Sequence, residues 1–450
     1  MTASHSIDWN AVRDETVRHL QALIRIETVN PPGNETRAAE YIAAQTRAAG
    51  IETEIVEPEP GRGSVVARLR AQRPSRPPLL LMGHTDVVSI ERAGWSHDPF
   101  AGDLAGGLVW GRGALDMKGQ VAAELTTLLL LPRTGIELER DIILAAFADE
   151  EAGGVLGAAW LWEHRRDLLD AEYAINEGGG RAIAVGDRRV YLCQVGEKGV
   201  ARLKLTARGE PGHASTPRPD TAMARMGEAL VRLHAWQPEV RLTPAVRQML
   251  ETIAATIGGE DGLRIRTVIA APTVESIAAL PLDEGALRGI EATTRDTAVP
   301  TVIHGGHRIN VIPGEVTLEV DGRILPGTDP EAWRERVQGV VGSEVTVELL
   351  SRNTGIEAEP ASPFLDAIAE TITTLDPAAV VAPYLSAGGT DARHLPGIKV
   401  YGFFPFGPSE AAKTYTGLIH GHDERIAIAD LGFGTRFLYE LTTRFCGGAN

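Results

Sequence analysis

Two histidines and a small set of carboxylates, each following an apolar run or opening a glycine-rich turn, are the residues of this chain best suited to do chemistry. His84 and Asp86 lie in Gly83-His84-Thr85-Asp86, Asp116 in Ala114-Leu115-Asp116-Met117-Lys118, and three acids stand together as Asp149-Glu150-Glu151. Glu177 precedes Gly178-Gly179-Gly180, and His420 opens His420-Gly421-His422-Asp423-Glu424. Residues i and i+2 of an extended chain face one way, so Asp86 is expected to accept the free ring N–H of His84 and fix its tautomer. If His84, Asp116, Glu151, Glu177 and His420 converge, each of two divalent ions receives a histidine and a terminal carboxylate, and one carboxylate is left to bridge. Nitrogen and carboxylate donors in near-tetrahedral sets suit zinc, with cobalt or manganese as alternatives. Glu150, beside a ligand but free of the metal, would carry the proton. Taken singly these residues have plainer readings: a Glu-Glu pair opens many solvated helices, and a lone histidine is often a hydrogen-bonded core residue. The Gly111-Arg112-Gly113 run lacks the strand, third glycine and helix of a dinucleotide fingerprint.

The elements that must position these groups are legible as alternating apolar patterns. Residues 79–82, 142–147 and 173–177 read as buried strands and 64–69 as another, while helical spacing is expected over 9–24, 35–49, 118–131 and 155–166. This rhythm predicts an α/β catalytic domain with a mostly parallel sheet and flanking helices, its site at the strand ends. After Gly199 the pattern changes to strand 200–208, helix 220–234, strands 308–312 and 316–324, helix 330–341 with Asp329 as N-cap, and strand 344–350. That order is ferredoxin-like, an α+β lid decorated by the long stretch 237–298. The α/β rhythm then resumes with helix 363–375, strand 399–403 and a closing helix over 429–444. The expected organisation is a discontinuous catalytic domain, 1–198 with 354–450, interrupted by an inserted domain at 199–353.

The whole chain has 450 residues and is 43% hydrophobic, enough for a large core and more than one domain. Its formal net charge of −16 argues against nucleic acid or an anionic membrane as partner, since both need a basic footprint. Two cysteines, Cys193 and Cys446, are too few for a disulfide framework. The first residues lack a basic segment followed by an apolar one, so a cytoplasmic location is expected.

The motifs Gly83-His84-Thr85-Asp86-Val87-Val88, Gly111-Arg112-Gly113-Ala114-Leu115-Asp116-Met117-Lys118-Gly119, Asp149-Glu150-Glu151, Asn310-Val311-Ile312-Pro313-Gly314, Gly388-Gly389-Thr390-Asp391 and His420-Gly421-His422-Asp423-Glu424 carry a resemblance. In this order they resemble the dizinc amidohydrolase and exopeptidase family of aminoacylase, carboxypeptidase S, glutamate carboxypeptidase, acetylornithine deacetylase and succinyl-diaminopimelate desuccinylase. The glycine run at 178–180 and the stretch 237–298 look most like its carboxypeptidase S and aminoacylase branch. The resemblance implies that Asp116 bridges two ions, that His84 and Glu177 complete one site and Glu151 and His420 the other, and that Glu150 is the general base; Asp86, expected to orient His84, counts among the catalytic residues. It further implies that the inserted domain is a lid that dimerises and lends His213 to catalysis, with Asn310, Arg323, Gly389 and Thr390 touching substrate. The expected reaction is hydrolysis of an amide or peptide bond in an N-acyl amino acid or short peptide, with water activated by two divalent ions. A deaminase or amidine hydrolase with the same metals, and a non-catalytic binding protein on this scaffold, are the alternatives.

Overall fold

A computed structural model describes residues 7–282 and 284–448. The chain divides into two compact units, one of Met1–Gln194, Ala358–Ala382 and Thr390–Asn450, the other of Val195–Glu357 and Pro383–Gly389.

The first unit is built on a sheet whose centre is parallel, in the order Ile142–Phe147, Leu79–His84, Tyr173–Asn176, Lys399–Gly402. Antiparallel strands Ser64–Leu69 and Glu52–Val56 extend it on one side, and Gln194 pairs antiparallel with Gly402 on the other. Leu79–His84 and Ile142–Phe147 are buried at every position. Continuous apolar runs of this kind are what a parallel sheet covered on both faces requires. Leu80, Met82, Ile143, Ala145 and Phe147 share one buried cluster with Leu161, Leu169 and Leu395. The helix Lys118–Thr134, buried from Lys118 to Leu131, packs with Trp9–Ile24 and Ile428–Cys446.

That helix lies very close to the central strand. A Cβ at Gly83 would stand 2.5 Å from Met117 Cε and 3.0 Å from Val121 Cγ2, so glycine lets the helix start beside the strand end without displacing either side chain. Lys118 then anchors the helix start from inside, donating to the carbonyls of Leu23 at 3.0 Å and Ile26 at 2.8 Å. The helix expected over 155–166 is broken instead into a π-helical turn, Val155–Ala159, and two short helices, Trp160–His164 and Arg166–Leu169. Two residues leave the helical region: Gly157, with φ −105° and ψ −107°, where a Cβ would fall 1.8 Å from the Ala148 carbonyl oxygen, and Arg165, with φ −138° and ψ 43°, between the two short helices.

The second unit has a four-strand antiparallel core ordered Thr297–Gly305, Glu315–Ile324, Leu203–Arg208, Val345–Leu349. With helices Ala222–Ala235 and Pro330–Val341 this is the ferredoxin-like order, and Trp333, Val337, Met226 and Leu233 fill its core. Asp329 caps the second helix, accepting from the Ala332 N–H at 2.9 Å. One strand differs from expectation. The partner of Glu315–Ile324 is Thr297–Gly305, whereas of 308–312 only Val311–Ile312 is extended, paired with Gly212–His213. Pro300 interrupts the apolar run, and it is tolerated because the strand lies at an edge and its register shifts between Pro300 and Val302. The stretch before it folds as the helices Pro244–Ile257, Gly259–Ala270, Val274–Ala278 and Glu284–Thr293. Among the described residues, no helix is long and apolar enough to cross a membrane.

Candidate metal centre

Three neighbouring parallel strands deliver acids or a histidine from their C-terminal ends. His84 closes Leu79–His84, Glu177 follows Tyr173–Asn176, and Glu150 and Glu151 form a tight turn just beyond Ile142–Phe147. Asp116 stands two residues before the helix Lys118–Thr134, and His420 lies in the loop ahead of strand Arg425–Ala427. The two oxygens of Asp116 face different histidines: Oδ1 is 3.2 Å from His84 Nε2 and Oδ2 is 3.0 Å from His420 Nε2. His84 Nε2 is also 3.7 Å from Glu177 Oε1, and His420 Nε2 is 3.2 Å from Glu151 Oε1. Two triads result, His84–Asp116–Glu177 and Asp116–Glu151–His420, each with donor atoms within 4.8 Å of one another. One imidazole nitrogen and two carboxylate oxygens per triad, sharing a single carboxylate, fit two divalent cations.

Asp86 supports this centre by a different route from the one its spacing suggests. His84 Nδ1 donates to the backbone carbonyl of Asp86 at 3.0 Å, and the Asp86 carboxylate is farther, at 3.4 Å. The carboxylate instead accepts the Glu150 and Glu151 backbone N–H groups, at 3.1 and 3.0 Å, and the Asn30 amide at 2.9 Å. The turn that carries Glu150 and Glu151 is thus pinned to the residue whose carbonyl holds His84. Arg62 and Glu35 brace the same turn: Arg62 donates to Asp149 at 2.7 Å and to both Glu35 oxygens at 2.9 Å, while Glu35 accepts the Asp149 N–H at 3.2 Å. Neither Glu35 nor Arg62 is marked by spacing, and Asn30 reads in sequence only as part of a helix-ending Asn-Pro-Pro-Gly.

The charges are set for cations. Burial, reinforced by Glu151 and Asp116 and opposed by His84, holds the Glu150 carboxyl at about 7. Burial likewise pushes Glu177 well above the ordinary carboxylate range. Hydrogen bonds to Asp116 and Glu151 raise His420 to about 10. For Asp116, burial pushes upward, yet the hydrogen bonds and charge of His420 and His84 pull it below the usual value. Without ions this cluster holds protons where ions would sit, which is the behaviour of a site with an excess of buried acid.

The remaining expected site residues divide between the units. Thr390, in the first, accepts from the Asn176 amide at 3.1 Å through its hydroxyl. Its neighbour Asp391 is buried, and burial followed by the charge of Glu150 holds its carboxyl well above the ordinary range. His213, Asn310, Arg323 and Gly389 belong to the second unit. His213 is exposed on its short strand, and its Nδ1 accepts the Ser215 N–H at 3.1 Å. A neutral His213 therefore carries its proton on Nε2. Asn310 gives its carbonyl to the Ala214 N–H at 3.0 Å. Arg323 is held by Asp321 two residues earlier, at 2.7 and 3.3 Å, so a substrate carboxylate would have to compete with that acid.

The family model of peptidase family M20/M25/M40 matches residues 80–444. A probable carboxypeptidase S-like 2 of Dictyostelium discoideum is 27% identical over 390 residues, 84% of this chain and 73% of that protein. Aminoacylase-1 of Sus scrofa is 25% identical over 414 residues, 90% of this chain and 88% of that protein. The crystal structure of an M20 family metallo-carboxypeptidase from Sulfolobus solfataricus superposes with a TM-score of 0.70 at 18% identity, covering 95% of this chain and 98% of that one.

Proposed function

The chain belongs to the peptidase M20/M25/M40 family, and from that premise we propose that it is a two-metal hydrolase cleaving the amide bond of an N-acyl amino acid or short peptide. The observation that carries this reading is the pair of triads sharing Asp116, one carboxylate turned towards two histidines. In it, His84, Asp116 and Glu177 hold one ion and Asp116, Glu151 and His420 the other, with zinc favoured over cobalt or manganese by the nitrogen and carboxylate donors. When bound, such ions would supply Lewis-acid charge that lowers the pKa of the attacking water towards neutrality. Glu150 takes that water's proton and later gives it to the leaving amine, work suited to a buried carboxyl poised at about 7. Asp86, Asn30 and the Arg62–Glu35 brace keep the Glu150 turn fixed, so the base is preorganised. His213, with its proton on Nε2, donates to the developing oxyanion, and Asn310, Arg323, Gly389 and Thr390 contact the substrate.

The same reading takes residues 199–353 as a lid and as the surface of a homodimer. Its edge strand Thr297–Gly305 presents Val299, Val302 and Ile303 to solvent, which supports pairing with a second copy. A cytoplasmic location is supported by two buried, unbridged cysteines. The deciding experiment is a screen of N-acyl amino acids and dipeptides with zinc-loaded protein, scored for the product released. Release of a free amino acid is expected. Release of ammonia instead would move the protein to the deaminases or amidine hydrolases, and no turnover of any substrate class would favour a binding role.

A further inference from the structure

Glu424 is fully buried, touches no ion-facing atom of the two triads, and nevertheless collects five hydrogen bonds around the centre. Its Oε1 accepts the backbone N–H groups of Leu115 at 2.7 Å and Asp116 at 3.0 Å. Its Oε2 accepts the Gly113 N–H at 2.9 Å and Arg112 Nη1 at 2.7 Å, and its own carbonyl accepts the Gly111 N–H at 2.9 Å. Arg112, 2% exposed, spends its other terminal nitrogen on the Gly421 carbonyl at 2.9 Å, and its guanidinium lies 5.2 Å from the Trp95 ring centroid. Gly421 directly follows His420, whose side chain is 52% exposed and whose φ is +60°. Unlike His84, which a buried strand and the Asp86 carbonyl hold, His420 is an exposed ligand on a loop in a sparsely populated backbone region.

Resting on the two-ion reading above, we propose that Glu424 and Arg112 are positioning residues that set the spacing of Asp116 and His420, and thereby the affinity of one ion more than the other. The connection is continuous: Asp116 N–H to Glu424, Glu424 to Arg112, Arg112 to the Gly421 carbonyl, and Gly421 to His420. Arg112 meets only the His420 side of these contacts, while Glu424 also holds the backbone of Asp116, whose Oδ1 faces His84. Loss of the tether therefore frees His420 and leaves the other histidine in place. The chemistry of position 424 is narrowly specified. Each carboxylate oxygen receives two donors, so a glutamine of the same shape would turn an N–H against at least one N–H and satisfy fewer of them.

The test is titration of the metal-free protein with cobalt(II), followed by visible absorption and calorimetry, on the wild type, Arg112→Lys and Glu424→Gln. Lysine keeps a cation beside Glu424 but cannot span both Glu424 and the Gly421 carbonyl. In the wild type two ions bind. In Arg112→Lys one of them should weaken about 10- to 100-fold, the usual effect of removing an outer partner of a metal ligand, with the other unchanged, and activity should return at excess metal. Glu424→Gln, which also releases the Asp116 backbone common to both triads, should weaken the His420-side ion most and the other to a lesser degree, and if that variant does not fold, Arg112→Lys still decides. Unchanged binding of both ions in folded Arg112→Lys would overturn the proposal. So would equal weakening of both, which would mean a general loss of structure or charge. A wild type that binds no second ion would instead overturn the two-ion reading itself.

Discussion

Glu150 is the residue on which the proposed chemistry turns, and its neighbours say why it is free to act. Glu151, beside it, faces His420 at 3.2 Å, whereas Glu150 belongs to neither donor triad. Glu150→Gln should leave two ions bound and the melting temperature nearly unchanged while lowering kcat by about two to four orders of magnitude, since the amide keeps the shape and loses the proton acceptor. Metal analysis beside steady-state kinetics checks this, and near-normal turnover would remove Glu150 from the mechanism. The protons held by the ion-free cluster give a second expectation. His420, raised from 6.5 to about 10 by Asp116 and Glu151, stabilises the ion-free fold fully below about pH 6.5, and that contribution is lost as pH rises through 10. Ions need the same nitrogen unprotonated, so their affinity should rise with pH from 6 to 9, and binding at pH 7 should release protons. Calorimetry in buffers of different ionisation enthalpy measures the number released, and pH-independent affinity would contradict the cluster's charge state. At this scale the chain was readable where residues sit in compact motifs. His84, Asp116, Glu150, Glu151, Glu177 and His420 all lie in such stretches. Arg62 and Glu35 do not, because their importance lies in meeting Asp149, 87 and 114 residues away, a relation that spacing does not record.

At the scale of elements, the centre depends on how closely strands and turns can approach. Gly402 ends the strand Lys399–Gly402 opposite Asn176, and a Cβ there would fall 1.9 Å from the Glu177 carbonyl oxygen. Because backbone is the obstacle, the substitution cannot be absorbed by a side-chain rotation. Gly402→Ala should therefore shift Glu177, weaken the ion shared by His84, Asp116 and Glu177 more than its neighbour, and cost about 1–3 kcal/mol of stability as overpacking does. Cobalt titration and urea denaturation read the two effects, and a variant with normal binding and stability would refute the contact. The buried strands themselves were plain in the sequence, since runs such as Ile142–Phe147 have no polar residue to expose. Two elements depart from the sequence pattern for local reasons. Gly157 interrupts what reads as one helix, and Pro300 conceals the edge strand Thr297–Gly305, so that 308–312 reads as the partner of Glu315–Ile324 in its place.

For the whole molecule, the expected alternation of an α/β unit with an inserted ferredoxin-like one corresponds to two kinds of sheet, parallel at the centre of the first unit and antiparallel throughout the core of the second. Composition and charge narrowed the partners but said nothing of assembly, which depends on surface that only folding defines. The edge strand Thr297–Gly305 carries Pro300 and a register shift, which blunt an edge locally, yet it still has Val299 and Ile303 each 54% exposed. If this edge pairs with that of a second copy, Ile303→Lys should convert a dimer to a monomer in light scattering while leaving each monomer folded. The catalytic consequence can be tested separately, because the proposed base Glu150 and the proposed oxyanion donor His213 lie in different units. Glu150→Gln and His213→Ala should each be nearly inactive as homodimers. Mixed and allowed to exchange subunits, they should regain activity if His213 serves the partner's centre, since one of the two sites in each heterodimer then has both groups intact. A dimer that exchanges subunits yet recovers nothing would place His213 with the Glu150 of its own chain, and a wild type that is already monomeric would deny the edge strand its partner.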